Sequence, residues 1–312
     1  MNYPVNDNLE GRLAWLNNRP VFASISGGKD STALGLYLQS LGVKFTPLFL
    51  DTGWEADSTY EYIKDVLTPL FGEFLVLRNE KYFDDELEAQ GWRKGMEQAI
   101  YRNRMFPSGV AKFCTRTLKV EPIQNFYAEL RALTKNKPVN VVGIRAEESK
   151  SRSLMAEIEE QDEATVWRPL IDWTEDRVIA YHTEHTVPPN PLYVLGYSRV
   201  GCYPCIYVRK HELRHLSYAA PERIKRIEEL ERIVNEELRV GKEKQATFFR
   251  SRKRNGGSMA IAEQIEWSRT SLKGDYLDDQ DEIEEQGCMR WGLCERPKGE
   301  QLSLFDDYKS KK

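Results

Sequence analysis

The chain has 312 residues, with 45 Lys or Arg against 49 Asp or Glu and a formal charge of −4. Hydrophobic residues make up 40%, an ordinary globular share that excludes wholesale disorder. The near balance of charge excludes a strongly basic nucleic-acid coat. At about 150 residues per domain, this length fits two domains. No apolar run reaches the roughly 18 residues of a membrane helix, and residues 1–12 lack the basic-then-apolar order of a secretory signal. A cytoplasmic location with no membrane partner is therefore expected. Thiols stay reduced there, so Cys114, Cys202, Cys205, Cys288 and Cys294 need an account other than disulfides.

Residues 21–26 (VFASIS) form a short apolar run that stops at two glycines, the pattern of a buried strand. Residues 29–41 place Leu34, Leu38 and Leu41 on one helical face. Residues 45–50 read as a second strand ending at Asp51, 59–70 as a helix, 74–77 as a third strand and 139–144 as a fourth. Strands separated by helical stretches need crossover connections. The expected fold is α/β, with a mostly parallel sheet, helices on both faces and ligands at the strands' carboxyl ends. From about residue 221, Ile224, Ile227, Leu230, Ile233, Val234 and Leu238 mark an amphipathic helix. A basic stretch, 242–254, then surrounds Phe248 and Phe249. Residues 275–285 are strongly acidic and read as a solvated linker or partner-facing segment.

The segment Ser26-Gly27-Gly28-Lys29-Asp30-Ser31 sits between the first strand and the first helix. Two glycines let the backbone approach a phosphate. Amides at the following helix N-terminus point at the anion, aided by the helix dipole. Lys29 adds a point charge, Ser26 and Ser31 add hydroxyls, and Asp30 is suited to capping the helix or holding Mg²⁺. The GxxxxGK[ST] loop is absent. Asp51-Thr52-Gly53-Trp54 follows the second strand, with an acid that suits Mg²⁺ and a glycine that admits a close ligand. Gly143-Ile144-Arg145 opens a run that also offers Ser149, Lys150 and Arg152 as anion donors. Asp172 or Thr174 caps the next helix. His182 and His185 read as surface or packing residues, and Arg199 stands where it can reach an anion.

The SGGKDS loop resembles the PP-loop of the ATP pyrophosphatase superfamily. Those adenine nucleotide alpha hydrolase-like proteins cleave ATP between the α and β phosphates, adenylate a substrate and release pyrophosphate. DTGW, GIRAEES and WRPLIDWT, in that order, resemble segments of its sulfonucleotide-reductase and ATP-sulfurylase small-subunit branch. Over residues 20–214 the chain is identified as similar to the phosphoadenylyl-sulfate reductase family, taken broadly to include sulfur-transfer enzymes of the DNA phosphorothioation type. The resemblance implies ATP and Mg²⁺ as cofactors and a catalytic set of Lys29, Asp30, Asp51 and Arg145. It implies nucleotide binding by Ser26, Gly27, Gly28, Lys29, Asp30, Ser31, Asp51, Gly53, Gly143, Arg145, Ser149 and Arg152. It divides the chain into a nucleotide-binding unit, 1–215, and a helical, charged C-terminal extension, 216–312.

Cys202-Tyr-Pro-Cys205 is a CxxC, a pattern for metal or cluster ligation or for redox exchange. Cys114 lies in FCTRTLKVEP, which resembles the segment that supplies cysteine to an iron–sulfur centre in cluster-bearing relatives. Those often carry a Cys-Cys pair, and here the second position is Thr115. The implied ligands are Cys114, Cys202 and Cys205 with Cys294, or Cys288 in its place. Four thiolates suit a 4Fe–4S cluster, with zinc as the alternative.

True reductases of the family use a cysteine in a C-terminal ECGLH motif, which Gly292-Leu293-Cys294-Glu295 only echoes. They also usually lack the loop lysine. Three readings follow. The first is an ATP pyrophosphatase that adenylates an acceptor for sulfur insertion, with a sulfur-donor protein as partner. The second is a sulfonucleotide reductase with Cys294 or Cys288 as nucleophile. The third is a non-enzymatic nucleotide-binding subunit that touches nucleic acid through 242–254.

Overall fold

In the computed structural model, residues 9–16, 19–134, 136–242, 244–249, 258–270 and 291 are described. Six strands form one sheet: β1 (Val21–Ser24), β2 (Thr46–Leu50), β3 (Leu75–Leu77), β4 (Val139–Val142), β5 (Ile158–Glu160) and β6 (Thr165–Trp167). Their order is β3-β2-β1-β4-β6-β5, parallel except for β5 against β6. The α/β expectation is met. β5 and β6 are additions that the sequence reading lacked, and the four expected strands are one or two residues shorter than read.

The strand order runs outward in opposite directions from β1 and β4. A crevice opens at such a switch, beyond the carboxyl ends of the two strands. Ser24 is in register with Leu48 of β2 on one side and Val142 of β4 on the other. The 26–31, 51–54 and 143–145 segments all leave this end of the sheet.

β1 and β4 read as nearly continuous apolar runs because both faces of a parallel sheet are covered. On one face, the helices Lys29–Ser40 and Glu175–Glu184 bury Leu34, Leu38 and Val178 against Ala23, Val139 and Val141. On the other, the helix Glu121–Leu133 packs Tyr127 on Phe22 and Leu48. The helix Lys29–Ser40 ends at Leu41, with Gly42 at φ +68 beyond it. A left-handed residue just past the last turn is the usual stop.

A second core joins residues 54–118 to residues 192–265. The helix Pro221–Ile233 contributes Ile227 and Leu230, both fully buried, and Val234, Phe248 and Ile261 pack with them. Glu231 is buried and accepts from the amides of Phe248 (2.8 Å) and Ile261 (2.9 Å). Glu97, also fully buried, takes both Nε and Nη2 of Arg226. Phe248 (1% exposed) and Phe249 (5%) are core residues. The aromatic part of the basic 242–254 stretch is therefore no stacking platform, because burying these rings yields more than leaving them in water. Residues 250–254 lie outside the described residues. No described helix is long and apolar enough to cross a membrane.

Candidate functional site

The loop after β1 is folded onto itself. Ser31 Oγ accepts from the Ser26 amide (3.1 Å) and donates to the Gly28 carbonyl (2.9 Å). Gly27 sits at φ +76, a conformation that side chains rarely adopt. Gly28 is the N-cap of the helix Lys29–Ser40 and supplies no side-chain cap. The Lys29 amide donates to the Tyr193 hydroxyl, and the rest of the helix start has no side-chain cap from Gly28, an arrangement that suits an anion.

Lys29 is 7% exposed. Its ammonium lies 3.2 Å from Glu175 Oε1 and 3.5 Å from Asp30 Oδ2. The ring of Tyr193 stands 5.1 Å away. A buried ammonium needs such partners, since an isolated one carries a large desolvation cost. His182 is buried, and its Nε2 donates to the Lys29 carbonyl at 2.9 Å. Burial lowers its pKa, so it serves as a neutral donor, in keeping with the packing role read from the sequence. His185 is exposed. Trp291 lies edge-on to His182 and packs on Tyr193. Lys29, Glu175, Tyr193, Ser198 and Trp291 line one recess.

The β4 end closes on this loop. Arg145 is 3% exposed and bonds Asp30 Oδ1 and Glu147 Oε2, each at 2.5 Å. Gly143 permits the approach, since a Cβ there would stand 2.7 Å from the Asp30 carbonyl. Arg152 bonds Glu148. Burial, and then the neighbouring Arg199, lower its pKa, which places these guanidinium groups in one field with Asp30 and Arg145. Ser149 and Lys150 are exposed, and Ser149 pairs with Ser151. Thr174 caps the helix Glu175–Glu184 by accepting from the Arg177 amide.

The Asp51 segment faces a different neighbour. Asp51 Oδ1 accepts from the Gly53 amide (2.9 Å) and the Tyr60 hydroxyl (2.7 Å). Gly53 has φ +64 and lies against Lys94, where a Cβ would meet the carbonyl at 2.3 Å. Glu55, 3% exposed, takes the Thr52 hydroxyl (2.7 Å) and the Thr52 and Trp54 amides. The Tyr60 hydroxyl spans Asp51 and Glu55. Burial and both carboxylates raise its pKa, so it remains a donor.

The CxxC lies along this segment. Glu55 bridges to Cys202, the Tyr203 amide donates to the Trp54 carbonyl (2.7 Å), and Trp54 Nε1 donates to the Pro204 carbonyl (3.1 Å). Cys114, Cys202 and Cys205 are free thiols. Burial pushes the Cys202 thiol up to about 11, with Lys119 opposing and Glu55, Cys205 and Cys114 adding to the rise. Cys202 is the largest influence raising the pKa of half-buried Lys119, ahead of the opposing burial, with Glu55, Cys205 and Cys114 adding to the rise. Three thiols, one carboxylate and one ammonium thus share a field. Among the described residues, however, no group of three or more His, Cys, Asp or Glu stands close enough to hold one metal ion. The thiols suit an iron–sulfur or zinc centre in kind but are not gathered to ligand spacing. Cys288 and Cys294 lie outside the described residues.

The structure thus brings SGGKDS and GIR into direct contact and sets DTGW against the CxxC. Glu55, Lys119, Tyr193 and Glu175 were not singled out from the sequence. Only Glu55 had a local signal, four residues after Asp51 at a strand end.

A family model described as the phosphoadenosine phosphosulfate reductase domain matches residues 20–208. The chain belongs to that family. A 37.8 kDa uncharacterised protein of Escherichia phage 186 is 33% identical over 306 residues, covering 82% of this chain and 90% of that protein. An adenosine 5′-phosphosulfate reductase of Burkholderia cepacia is 42% identical over 97 residues, 30% of this chain and 36% of that one. A phosphoadenosine 5′-phosphosulfate reductase of Alkalilimnicola ehrlichii is 30% identical over 193 residues, 61% of this chain and 71% of that one. Among solved structures, the phosphoadenylyl-sulfate reductase of Candida auris aligns with a TM-score of 0.48 at 20% identity, over 62% of this chain and 86% of that one.

Proposed function

We propose that this family member is an ATP pyrophosphatase that adenylates an acceptor. An acceptor oxygen attacks the α-phosphorus of ATP, the bond from the α-phosphorus to the bridging oxygen breaks, and pyrophosphate leaves. The observation that carries this reading is Lys29. It is a buried cation at the N-terminus of the helix after β1, next to the β1–β4 switch point, with its ammonium balanced by Glu175 and Asp30. A sulfonucleotide has no pyrophosphate for such a lysine to hold. Lys29 and the loop amides would stabilise the leaving group where its charge develops. Arg145 would hold Asp30 in place, and Asp51 would face the nucleotide with the carboxylate oxygen that Gly53 and Tyr60 leave free. Mg²⁺, when bound, supplies charge neutralisation across the phosphates.

Cys114, Cys202 and Cys205 are the thiols this reading assigns to a cluster or zinc, with Cys294 as the fourth. Their support is the CxxC pattern and the resemblance of the Cys114 segment to that of cluster-bearing relatives. Attack on the adenylated acceptor by sulfide-level sulfur carried by a donor protein, with AMP leaving, completes the reading.

The second reading, sulfonucleotide reduction, is favoured by the reductases among the relatives. Product analysis separates the two. AMP and pyrophosphate from ATP support the first. Thiol-dependent sulfite release from a sulfonucleotide, with ATP left intact, overturns it.

A further inference from the structure

Besides the ion pairs of its ammonium with Glu175 and Asp30, Lys29 is gripped at three points, and two of them come from the segment that leads to the CxxC. The backbone amide of Lys29 donates to the Tyr193 hydroxyl at 3.0 Å. Its ammonium reaches the Ser198 carbonyl at 3.5 Å. His182 holds its carbonyl. The neighbouring Gly28 is equally close. A Cβ there would stand 3.4 Å from the Tyr193 hydroxyl and 3.8 Å from the Val200 carbonyl. Loop, hydroxyl and Val200 therefore meet at one point. Two residues on, Cys202 bridges to Glu55.

Tyr193 is rigidly mounted for such a role. It sits in the single-turn helix Pro191–Val194, whose N-cap Asn190 accepts from the Leu192 amide at 3.0 Å. Asn190 also donates to Thr59 at 3.3 Å, which ties the turn to the helix Asp57–Tyr62. Burial pushes the phenol pKa up, and the amides of Lys29 and Val200 oppose that rise. The hydroxyl therefore keeps its proton while it accepts from the loop.

We propose that Tyr193 is a positioning residue that couples the phosphate loop to the cysteine-bearing arm, so that phosphates bound at the loop order residues 198–202. The inference rests on the nucleotide-binding reading above. A bound phosphate fixes the first turn of the helix Lys29–Ser40 through its amides. The Lys29 amide then holds the Tyr193 hydroxyl in one place, and Val200, whose carbonyl stands beside Gly28, loses freedom with it. The proposal needs no covalent step and no metal.

Hydrogen exchange followed by mass spectrometry, with and without ATP and Mg²⁺, tests this on the full chain. In the wild type, ATP is expected to slow exchange at least three-fold in peptides covering 26–32 and also in peptides covering 198–202. In Tyr193→Phe, which keeps the ring on Lys29 and Trp291, ATP is expected to slow only the first set. No slowing at 26–32 in the wild type overturns the nucleotide reading and this inference with it. Slowing at 26–32 without any at 198–202 overturns the coupling alone, and needs no variant. Equal slowing at 198–202 in Tyr193→Phe overturns the part assigned to the hydroxyl.

Discussion

Arg145, just beyond the carboxyl end of β4, donates its Nε hydrogen to Asp30 Oδ1 across 115 residues of chain. This pair closes the crevice between the two strands at which the sheet changes direction. Both partners belong to the motifs expected to bind nucleotide, so the contact ties those two motifs together.

Removing the guanidinium leaves Asp30 with Lys29 as a more distant ammonium at 3.5 Å. Breaking a largely buried pair by deleting one partner costs on the order of 2–4 kcal/mol. Arg145→Met is expected to lower the urea midpoint accordingly and to weaken ATP binding at least ten-fold by calorimetry. Arg145→Lys should recover only part of both losses, because an ammonium cannot reproduce the guanidinium fork. Unchanged stability and affinity in Arg145→Met would contradict the assignment.

Glu97 and Arg226 make a second test, away from the crevice. Glu97 is fully buried, and Arg226 bonds it through two nitrogens. Arg226→Ala leaves the buried carboxylate with the Arg93 amide at 3.0 Å and the Arg93 guanidinium at 3.9 Å, and a loss of about 2–4 kcal/mol is expected in a denaturant melt. Arg226 lies on the helix Pro221–Ile233 and Glu97 on the helix Met96–Asn103. Proteolysis of the variant should therefore begin in the C-terminal helices. A loss under about 0.5 kcal/mol, the range of surface changes, would show that the pair is not buried in solution.

The Cys202 thiol is pushed up to about 11 from an ordinary 9.0, burial being the main cause. Only the thiolate is nucleophilic. At pH 8, metal-free folded protein should react with iodoacetamide at Cys202 about 100-fold more slowly than unfolded chain, from the two-unit difference in pKa. The linkage has a definite sign. The folded state holds this proton to higher pH than the unfolded chain does, so the contribution to stability is full below about pH 9 and falls as pH rises to about 11. Peptide-resolved alkylation and melts across pH 8–11 check both. Fast alkylation at pH 8 or a flat profile would be the contrary result.

The parts of the fold that were legible in the sequence were those whose signal is local. VFASIS is apolar and stops at Gly-Gly, and that alone places a strand, a loop and a helix start. β3 is as short as β5 and β6 but wholly apolar within an apolar run, whereas β5 escaped because two of its three residues are glutamates. β6 is merged with the WRPL motif that follows it. The site was legible as motifs but not as an assembly. Nothing local links Tyr193 to Lys29, 164 residues away, or Arg226 to Glu97, 129 away. The 242–254 stretch misled in a physical way. Its basic residues suggested a surface, while Phe248 and Phe249 fill the core beside Trp54 and Phe106.

Metal analysis tests the thiol assignment separately. Because the described thiols are not gathered to ligand spacing, the assignment requires them to close on a bound metal, and anaerobically purified protein is then expected to hold iron and sulfide, or zinc, in at least half-stoichiometric amount. Cys202→Ser and Cys205→Ser are expected to lose it. Cys114→Ser should lose most of it, and Thr115→Ala none. Protein with under about a tenth of a metal equivalent per chain, still turning over ATP at the full rate, removes the centre from the account.

The central claim is that Lys29 serves pyrophosphate departure from ATP. The most direct measurement is pyrophosphate and AMP release from ATP with Mg²⁺, water serving as the acceptor oxygen, by the wild type and by Lys29→Met under saturating nucleotide. Equal amounts of the two products are expected from the wild type, with a fall of about 10²–10³ in turnover for the variant, as for loss of one charge-stabilising group in an active site. Release of sulfite from a sulfonucleotide by both proteins at equal rates, with no AMP formed from ATP by either, would contradict it.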